Sequence, residues 1–172
     1  MQFVTCTHES HATKILEIFN DAIATSTALF DYQPRASESM IGWFQAKEAG
    51  RFPVIGAIAH DQLLGFATYG TFRAWPAYKY SVEHSVYVHK DHRGKGIGLA
   101  LMRKLIERAK EQQYHVMVGG IDVTNTGSIA LHARLGFVHA GTVKHAGFKF
   151  GKWLDLGLYQ LLLETPDHPV DG

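Results

Sequence analysis

A helical period of apolar side chains recurs in four segments of this chain. In residues 9–24, for example, Ala12, Ile15, Phe19 and Ile23 follow one another every three or four positions, which predicts one buried face. A serine before such a segment is a favoured N-cap, and a glycine after it is a favoured stop. The predicted helices are therefore 9–24, 37–49 with Ser37 as the N-cap, 97–112, and 126–135 ending before Gly136.

Shorter segments alternate between apolar and polar residues or are rich in β-branched and aromatic residues, which predicts strands. Asp61 and Gln62 are expected to form a tight turn between two of them. Several strands follow one another without a helix between them, so we expect an α/β (α+β) fold with a mixed, largely antiparallel sheet and helices on both faces. The predicted strands are 2–5, 54–59, 63–72, 80–88, 116–121, 138–144 and 154–163.

Length and composition favour a globular protein. The 172 residues suffice for one domain, expected to span 1–164, with a short loose tail over 165–172. The net charge of +1 predicts no general affinity for nucleic acid or acidic membranes. No signal-peptide pattern or membrane-length apolar run is visible, and Cys6 is the only cysteine. A cytoplasmic location is therefore expected.

The segment 86–98 is the most informative part of the sequence, since a strand here runs into a glycine-rich turn that opens a helix. Gly94, Gly96 and Gly98 allow backbone N–H groups to converge, and the first N–H groups of a helix have no internal partner. Together with the helix dipole, they favour a bound anion such as a pyrophosphate. Arg93 and Lys95 add positive charge nearby.

The order of residues separates several phosphate-binding motifs. A P-loop requires Ser or Thr after Gly-Lys, whereas Gly96 follows Lys95, and a dinucleotide fingerprint requires a glycine where Leu99 stands. The pattern Arg93-x-x-Gly96-x-Gly98 instead resembles the coenzyme A pyrophosphate motif of the GNAT superfamily of N-acetyltransferases. A purely structural glycine turn is the alternative.

The resemblance covers nearly the whole chain and is specific to the branch that contains the phosphinothricin and methionine sulfoximine N-acetyltransferases. It implies the GNAT fold, acetyl-CoA as co-substrate, a small amino-acid-like acceptor, a cytoplasmic homodimer, and antibiotic or herbicide resistance. The segments that carry it are 26–30, 80–88, 125–132, Leu135-Gly136-Phe137 and 147–155.

The resemblance assigns two catalytic residues. It places Glu83 on the strand beside the acetyl group, where a carboxylate can take the ammonium proton directly or through water. His132 stands where many GNAT enzymes carry a tyrosine that protonates the leaving sulfur, and a histidine can act as base or acid near neutral pH. A surface glutamate and a packing histidine are the alternative readings.

The resemblance also implies the cofactor contacts. Backbone groups of the strand are expected to bind the pantetheine arm and polarise the thioester carbonyl. Asn125 is expected to bind the pantetheine or to cap the helix that follows, and these two roles are compatible. The predicted cofactor-binding residues are Val86, Tyr87, Val88, Arg93, Gly94, Lys95, Gly96, Ile97, Gly98, Asn125 and Ser128.

Arg73 is the candidate for binding a substrate carboxylate, because a guanidinium can donate two parallel hydrogen bonds to it. Aromatic residues of the pocket would enclose the acceptor side chain, although aromatics are more often core residues. In dimeric relatives, the motif of Lys149 and Trp153 approaches the partner's active site. The predicted substrate-binding residues are Phe30, Arg73, Trp75, Tyr78, Glu83 and Lys149.

No metal site is expected. His8-Glu9-Ser10-His11 is one residue shorter than a zinc-binding H-E-x-x-H, and the trio His84, His89 and His92 lacks a recognised ligand spacing. Two other functions compete with a small-molecule N-acetyltransferase, namely a lysine or N-terminal protein acetyltransferase and a non-catalytic acyl-CoA sensor. The Arg73 clamp argues against the first, and the retained Glu83 and His132 argue against the second.

Overall fold

A computed structural model describes residues 1–171 and contains four α-helices and seven strands in the predicted order. The strands are β1 (Gln2–Thr5), β2 (Val54–Ala59), β3 (Gln62–Thr71), β4 (Ser81–Val88), β5 (Val116–Asp122), β6 (Val138–Lys149) and β7 (Lys152–Leu162). The helices are α1 (His8–Thr25), α2 (Ser39–Ala49), α3 (Ile97–Glu111) and α4 (Thr126–Arg134), and short 3₁₀ helices cover Pro76–Tyr78 and Lys90–His92.

The strands form one sheet in the order β1-β2-β3-β4-β5-β7-β6. The pairs β1–β2, β2–β3, β5–β7 and β6–β7 are antiparallel, and β4–β5 is parallel. The predicted mixed, largely antiparallel sheet is confirmed. The chain also divides into two compact units, and each is described by itself below.

The first unit comprises Met1–Tyr69 and Ser85–Leu105. Its core forms where the apolar stripe of α1 meets β2, β3 and α2, as the helical period predicts. Thr7 caps α1 by accepting a hydrogen bond from the backbone N–H of Ser10. The buried members of this core are Cys6, Ile15, Ile18, Phe19, Ala22, Ile23, Leu29, Met40, Val54, Leu63 and Phe66.

The second unit comprises Gly70–His84 and Ile106–Gly172. Here β4 pairs with β5 over Ser81–Glu83, opposite Val116–Val118, and β5 pairs along its whole length with β7. This register places Glu83 and His84 directly beside the central part of β5. Strand β6 pairs with β7 as a long hairpin whose outer face is largely exposed.

Three predicted boundaries are wrong for local reasons. Ser37 does not cap α2, which begins at Ser39 after a turn and has no side-chain cap. The tight turn lies at His60 and Asp61, where both residues have positive φ angles. Strand β6 runs five residues beyond the predicted end. The prediction stopped too early because register shifts between His139 and Gly141 and between Val143 and Gly147 interrupt the alternation of the strand.

Candidate active site

The glycine loop that precedes α3 has the conformation predicted for it. Gly94 and Gly96 have φ angles of 76° and 77°, a region that glycine adopts far more easily than other residues. No heavy atom lies within 4 Å of a Cβ built at either position, so these glycines are required for their backbone conformation and not for space. Since α3 begins at Ile97, its free N–H groups lie at this loop, which fits a pyrophosphate.

The cations of this loop are held in place by neighbouring oxygens. The Arg93 guanidinium donates through Nε to the Val88 carbonyl at 3.1 Å and through a terminal nitrogen to the Asp21 carboxylate at 3.1 Å. Lys95 donates to the Asp91 carbonyl at 3.0 Å. The loop therefore holds the side chains of Arg93 and Lys95 in fixed positions beside its open backbone, with the Arg93 charge partly balanced by Asp21.

The second half of β4 turns its aromatic side chain toward the core. The Tyr87 ring packs against Phe19 and Phe66, with ring centroids 5.3 Å and 5.6 Å away, and thus belongs to the core. A Cβ at Gly65 would lie 2.7 Å from the Tyr87 carbonyl oxygen, so only glycine lets β3 approach here. Of the predicted contacts at Tyr87, only those through the backbone fit this orientation.

Glu83 and Arg73 interact electrostatically in the second unit. Partial burial raises the pKa of the Glu83 carboxyl, and the Arg73 guanidinium opposes this by lowering it. Both side chains remain accessible to solvent. A carboxylate with a raised pKa beside a cation can accept a proton from an ammonium group more readily than an ordinary surface glutamate.

The loop that carries Arg73 is rich in exposed aromatic rings. The Arg73 guanidinium lies 5.0 Å from the centre of the Phe72 ring, and Phe72 meets Tyr78 edge to face at 6.0 Å. Trp75 is 74% exposed and Tyr78 is 43% exposed. Neither ring is a core residue, so both are free to contact a ligand.

His132 is buried and pairs with His84, which stood out in the sequence only as a member of a histidine trio without metal-ligand spacing. Its Nε2 lies 3.0 Å from Nε2 of His84, and the ring centroids are 4.9 Å apart with the ring planes inclined by 20°. Phe137 packs edge to face on both rings. The period-two pattern of β4 contained a usable signal, because it places His84 on the same face as the buried Val82.

The N-terminus of α4 is joined to this pair. Nδ1 of His132 lies 2.7 Å from the Ser128 carbonyl oxygen, and the Asn125 side chain accepts from the Ser128 backbone N–H at 3.1 Å. Asn125 is therefore the N-cap of α4, one of the two roles predicted for it. A contact with pantetheine stays a prediction for Asn125 and Ser128.

Glu83 and His132 lie on opposite faces of β4 and β5. A Cβ at Gly120 would lie 3.3 Å from the Glu83 carboxylate, whereas a Cβ at the preceding Gly119 would lie 2.6 Å from His84 Nε2 and 3.5 Å from His132 Nε2. Successive residues of a strand point to opposite faces. The two predicted catalytic side chains therefore do not contact each other.

The remaining candidates occupy separate places. Phe30 is 48% exposed in the first unit, in a segment tied down by Asn20, whose amide forms two hydrogen bonds with the backbone of Arg35. In the second unit, the buried Lys149 places its ammonium group 4.9 Å from the centre of the Phe150 ring. Trp153 is exposed and packs against Phe148.

Within residues 1–171, no group of three or more His, Cys, Asp or Glu side chains is arranged to hold a metal ion. None of the helices in that range is both long enough and apolar enough to cross a membrane.

Known proteins similar to this chain are acetyltransferases of one family. The model of the acetyltransferase (GNAT) family matches residues 15–137. The L-methionine sulfoximine/L-methionine sulfone acetyltransferase of Pseudomonas aeruginosa is 44% identical over 151 residues, which cover 87% of this chain and 88% of the relative. The phosphinothricin N-acetyltransferase of Alcaligenes faecalis is 36% identical over 155 residues, covering 89% and 78% of the two chains.

A solved structure extends this similarity to the fold. The GNAT superfamily phosphinothricin acetyltransferase of Sinorhizobium meliloti, in complex with acetyl-CoA, superposes with a TM-score of 0.90 at 31% identity, covering 94% of this chain and 88% of that one. The chain belongs to the GNAT family of acetyltransferases. The predicted family, fold and enzyme class are confirmed, and the acetyl-CoA in the S. meliloti structure agrees with the predicted co-substrate.

Proposed function

We propose that this chain transfers the acetyl group of acetyl-CoA to the α-amine of a small L-amino-acid derivative of the methionine sulfoximine, methionine sulfone or phosphinothricin type. The observation that carries the proposal is that, in the second unit, the Arg73 guanidinium acts electrostatically on the Glu83 carboxyl and lowers its pKa against the effect of burial. A proton acceptor and a carboxylate-binding cation are the two groups that an α-amino acid requires. The similarity to enzymes named for these acceptors supports the choice of substrate.

The proposed reaction is a direct transfer. Glu83 accepts a proton from the substrate ammonium group, and the free amine attacks the thioester carbonyl to form the amide bond. The carbon–sulfur bond then breaks, and coenzyme A leaves as a thiolate, which takes up the second proton that the attacking nitrogen loses as the amide forms. His132 is proposed to assist this proton movement, within the constraint that its ring is already paired with His84.

The same proposal assigns the binding roles. The loop from Arg93 to Gly98 binds the pyrophosphate of acetyl-CoA, which its open glycines and ordered cations support. Arg73 binds the substrate carboxylate, and the exposed rings of Trp75 and Tyr78 enclose the methylene stem. Phe30 and Lys149 are further proposed contacts of the acceptor.

We also propose that the protein acts as a homodimer in the cytoplasm. The hairpin of β6 and β7 exposes several large apolar side chains, which a second copy would cover. They are Val138, Val143, Phe148, Phe150, Trp153 and Leu162. The free, buried thiol of Cys6 supports a reducing compartment.

A panel of acceptors tests this function. We would measure kcat/KM by thiol release from acetyl-CoA with L-methionine sulfoximine, its carboxamide, phosphinothricin and a lysine peptide. We expect the free amino acids to be the best acceptors. For the carboxamide, kcat/KM should be lower by about tenfold or more, because this acceptor leaves Arg73 unpaired. Arg73→Ala should reduce the difference in kcat/KM between the free acid and the carboxamide.

Two outcomes would contradict the proposal. A lysine peptide acetylated faster than every free amino acid would favour a protein acetyltransferase. Binding of acetyl-CoA without thiol release for any acceptor would favour a sensor.

A further inference from the structure

The two buried imidazoles of the second unit form a hydrogen-bonded pair whose donor and acceptor can be assigned from their partners. The Ser128 carbonyl oxygen can only accept, so Nδ1 of His132, 2.7 Å away, must carry the hydrogen. A neutral His132 therefore has a lone pair at Nε2. Since this atom lies 3.0 Å from Nε2 of His84, His84 must donate its Nε2–H to it.

Both rings are neutral in this arrangement. Burial, and next the neighbouring His132, lower the pKa of His84 to about 3. Burial also lowers the pKa of His132, although the hydrogen bond to the Ser128 carbonyl opposes this. The neutral His84 then has its lone pair at Nδ1, a buried atom with no hydrogen-bond partner among the described residues. An unfilled acceptor is tolerated there more easily than an unpaired N–H would be.

Close packing fixes the position of His84. A Cβ at Gly119 would lie only 2.6 Å from His84 Nε2, so the glycine leaves room for the donating nitrogen. Phe137 covers both rings from one side. The imidazole of His84 thus has little freedom to turn away from His132.

The pair connects β4 to the first turn of α4 through a continuous chain of hydrogen bonds. His84 donates to His132, His132 donates to the Ser128 carbonyl, and the Ser128 N–H donates to the side chain of Asn125. This series of hydrogen bonds starts at His84, the residue next to Glu83, and ends at Ser128 and Asn125, which are both predicted to bind the cofactor.

We propose that His84 is a positioning residue for acetyl transfer, acting through His132 by donating its Nε2–H to Nε2 of that ring. This inference rests on the proposed function, in which His132 assists proton movement. The Ser128 carbonyl makes Nε2 the basic nitrogen of His132, and the hydrogen bond from His84 then holds that nitrogen in position. His132 can bind a proton at Nε2 only when the hydrogen bond from His84 to that atom is broken.

Four variants at the two histidines test this role. His84→Gln retains an N–H donor, and His84→Met has similar bulk without one. His132→Phe and the double variant His84→Met/His132→Phe show whether His84 acts through its partner. The measurements are single-turnover acetyl transfer, acetyl-CoA affinity, and ¹⁵N NMR of the ring nitrogens.

We expect wild-type His132 to be protonated at Nδ1 and His84 at Nε2. His84→Met should shift the His132 Nε2 resonance and slow the single turnover by about 10- to 100-fold, as expected when a reacting group is misplaced by about 1 Å. His84→Gln retains an N–H donor and should therefore keep the His132 Nε2 resonance and the single-turnover rate close to those of the wild type. The double variant should be no slower than His132→Phe. Gly119→Ala, which retains both imidazoles but displaces His84, should resemble His84→Met.

Several results would overturn the inference. An unchanged His132 spectrum and rate in His84→Met would do so, as would equal losses in the two single variants of His84, which would indicate packing alone. A His132→Phe protein as fast as wild type would overturn it as well, yet would leave wild-type acetylation of amino acids intact. If instead the wild type acetylates no acceptor, the proposed function fails, while the NMR experiment still decides the hydrogen bond.

Discussion

The carboxylate of Glu83 and the imidazole of His132 lie on opposite faces of β4 and β5, although both are candidate catalytic groups. Glu83 is exposed and interacts with Arg73, whereas His132 is buried against His84. The two groups therefore have different environments and opposite pKa shifts. This separation favours independent roles and allows each to be tested alone.

Gly96→Val should weaken acetyl-CoA binding. At a φ of 77°, a β-branched residue is strongly disfavoured, so the loop that presents its N–H groups must rearrange. We expect the acetyl-CoA KM to rise by about tenfold or more, which corresponds to about 1.4 kcal/mol. Gly42→Ala is the control, because Gly42 lies in α2 with open space around it and is expected to leave KM unchanged. Normal cofactor affinity in a folded Gly96→Val protein would contradict the role of the loop.

Glu83→Gln should slow the chemical step by about 10²- to 10⁴-fold, the usual contribution of a general base. The loss should be largest near neutral pH and should shrink at alkaline pH, where more of the substrate is already a free amine. Single-turnover rates across a pH series measure this directly. Glu48→Gln, an exposed position of α2, serves as the matched control. Equal rates for the Glu83→Gln variant and wild type at every pH would exclude Glu83 as the base.

Arg73→Ala should move the acidic limb of the pH–rate profile to higher pH. Partial burial already raises the pKa of Glu83, and the Arg73 cation limits that rise. Without the cation, the carboxylate is harder to form, so a higher pH is needed to keep the base deprotonated. The profile of kcat/KM reports this limb in the free enzyme. Lys79→Ala, which removes a nearby cation of the same loop, should leave the limb in place, and an unshifted limb in Arg73→Ala would argue against the coupling.

His132→Phe should reduce the free energy of unfolding by about 1–3 kcal/mol, because it leaves the buried His84 N–H without an acceptor. The phenyl ring fills similar volume, so loss of packing alone should contribute little. Urea denaturation measures the change, and His139→Phe on the exposed side of β6 is the control. A variant as stable as wild type would mean that the His84 N–H finds another acceptor.

Lys47 should make stability depend on alkaline pH. Burial lowers its pKa from 10.5 to about 8, and its ammonium group donates to the Tyr69 carbonyl. Because the folded pKa is the lower one, the unfolded state binds the proton more tightly. The contribution of Lys47 to the free energy of unfolding is therefore complete above pH 10.5 and is lost as the pH falls through about 8. Relative to Lys47→Met, the free energy of unfolding of the wild type should increase as the pH rises from about 8 to 10.5. Urea denaturation of the two proteins over a series of pH values measures this difference.

The sequence by itself determined those features that depend on local pattern. The order of eleven helices and strands follows from the two apolar periods, and the loop at Gly94 and Gly96 follows from the need for positive φ angles before a helix. The register shifts in β6 escaped prediction, since a bulge breaks the alternation on which the strand assignment depends.

The tertiary structure alone decided which distant side chains meet. His84 and His132 are 48 positions apart, and only the placement of α4 over β4 and β5 brings their rings together. The opposite faces of Glu83 and His132 likewise depend on the register of β4 with β5. Periodicity records which residues turn inward, but it contains no information on which inward-facing residue of one element will contact that of another. Packing determines which of these residues meet. In this protein it makes His84 the hydrogen-bonding partner of His132, a predicted catalytic residue.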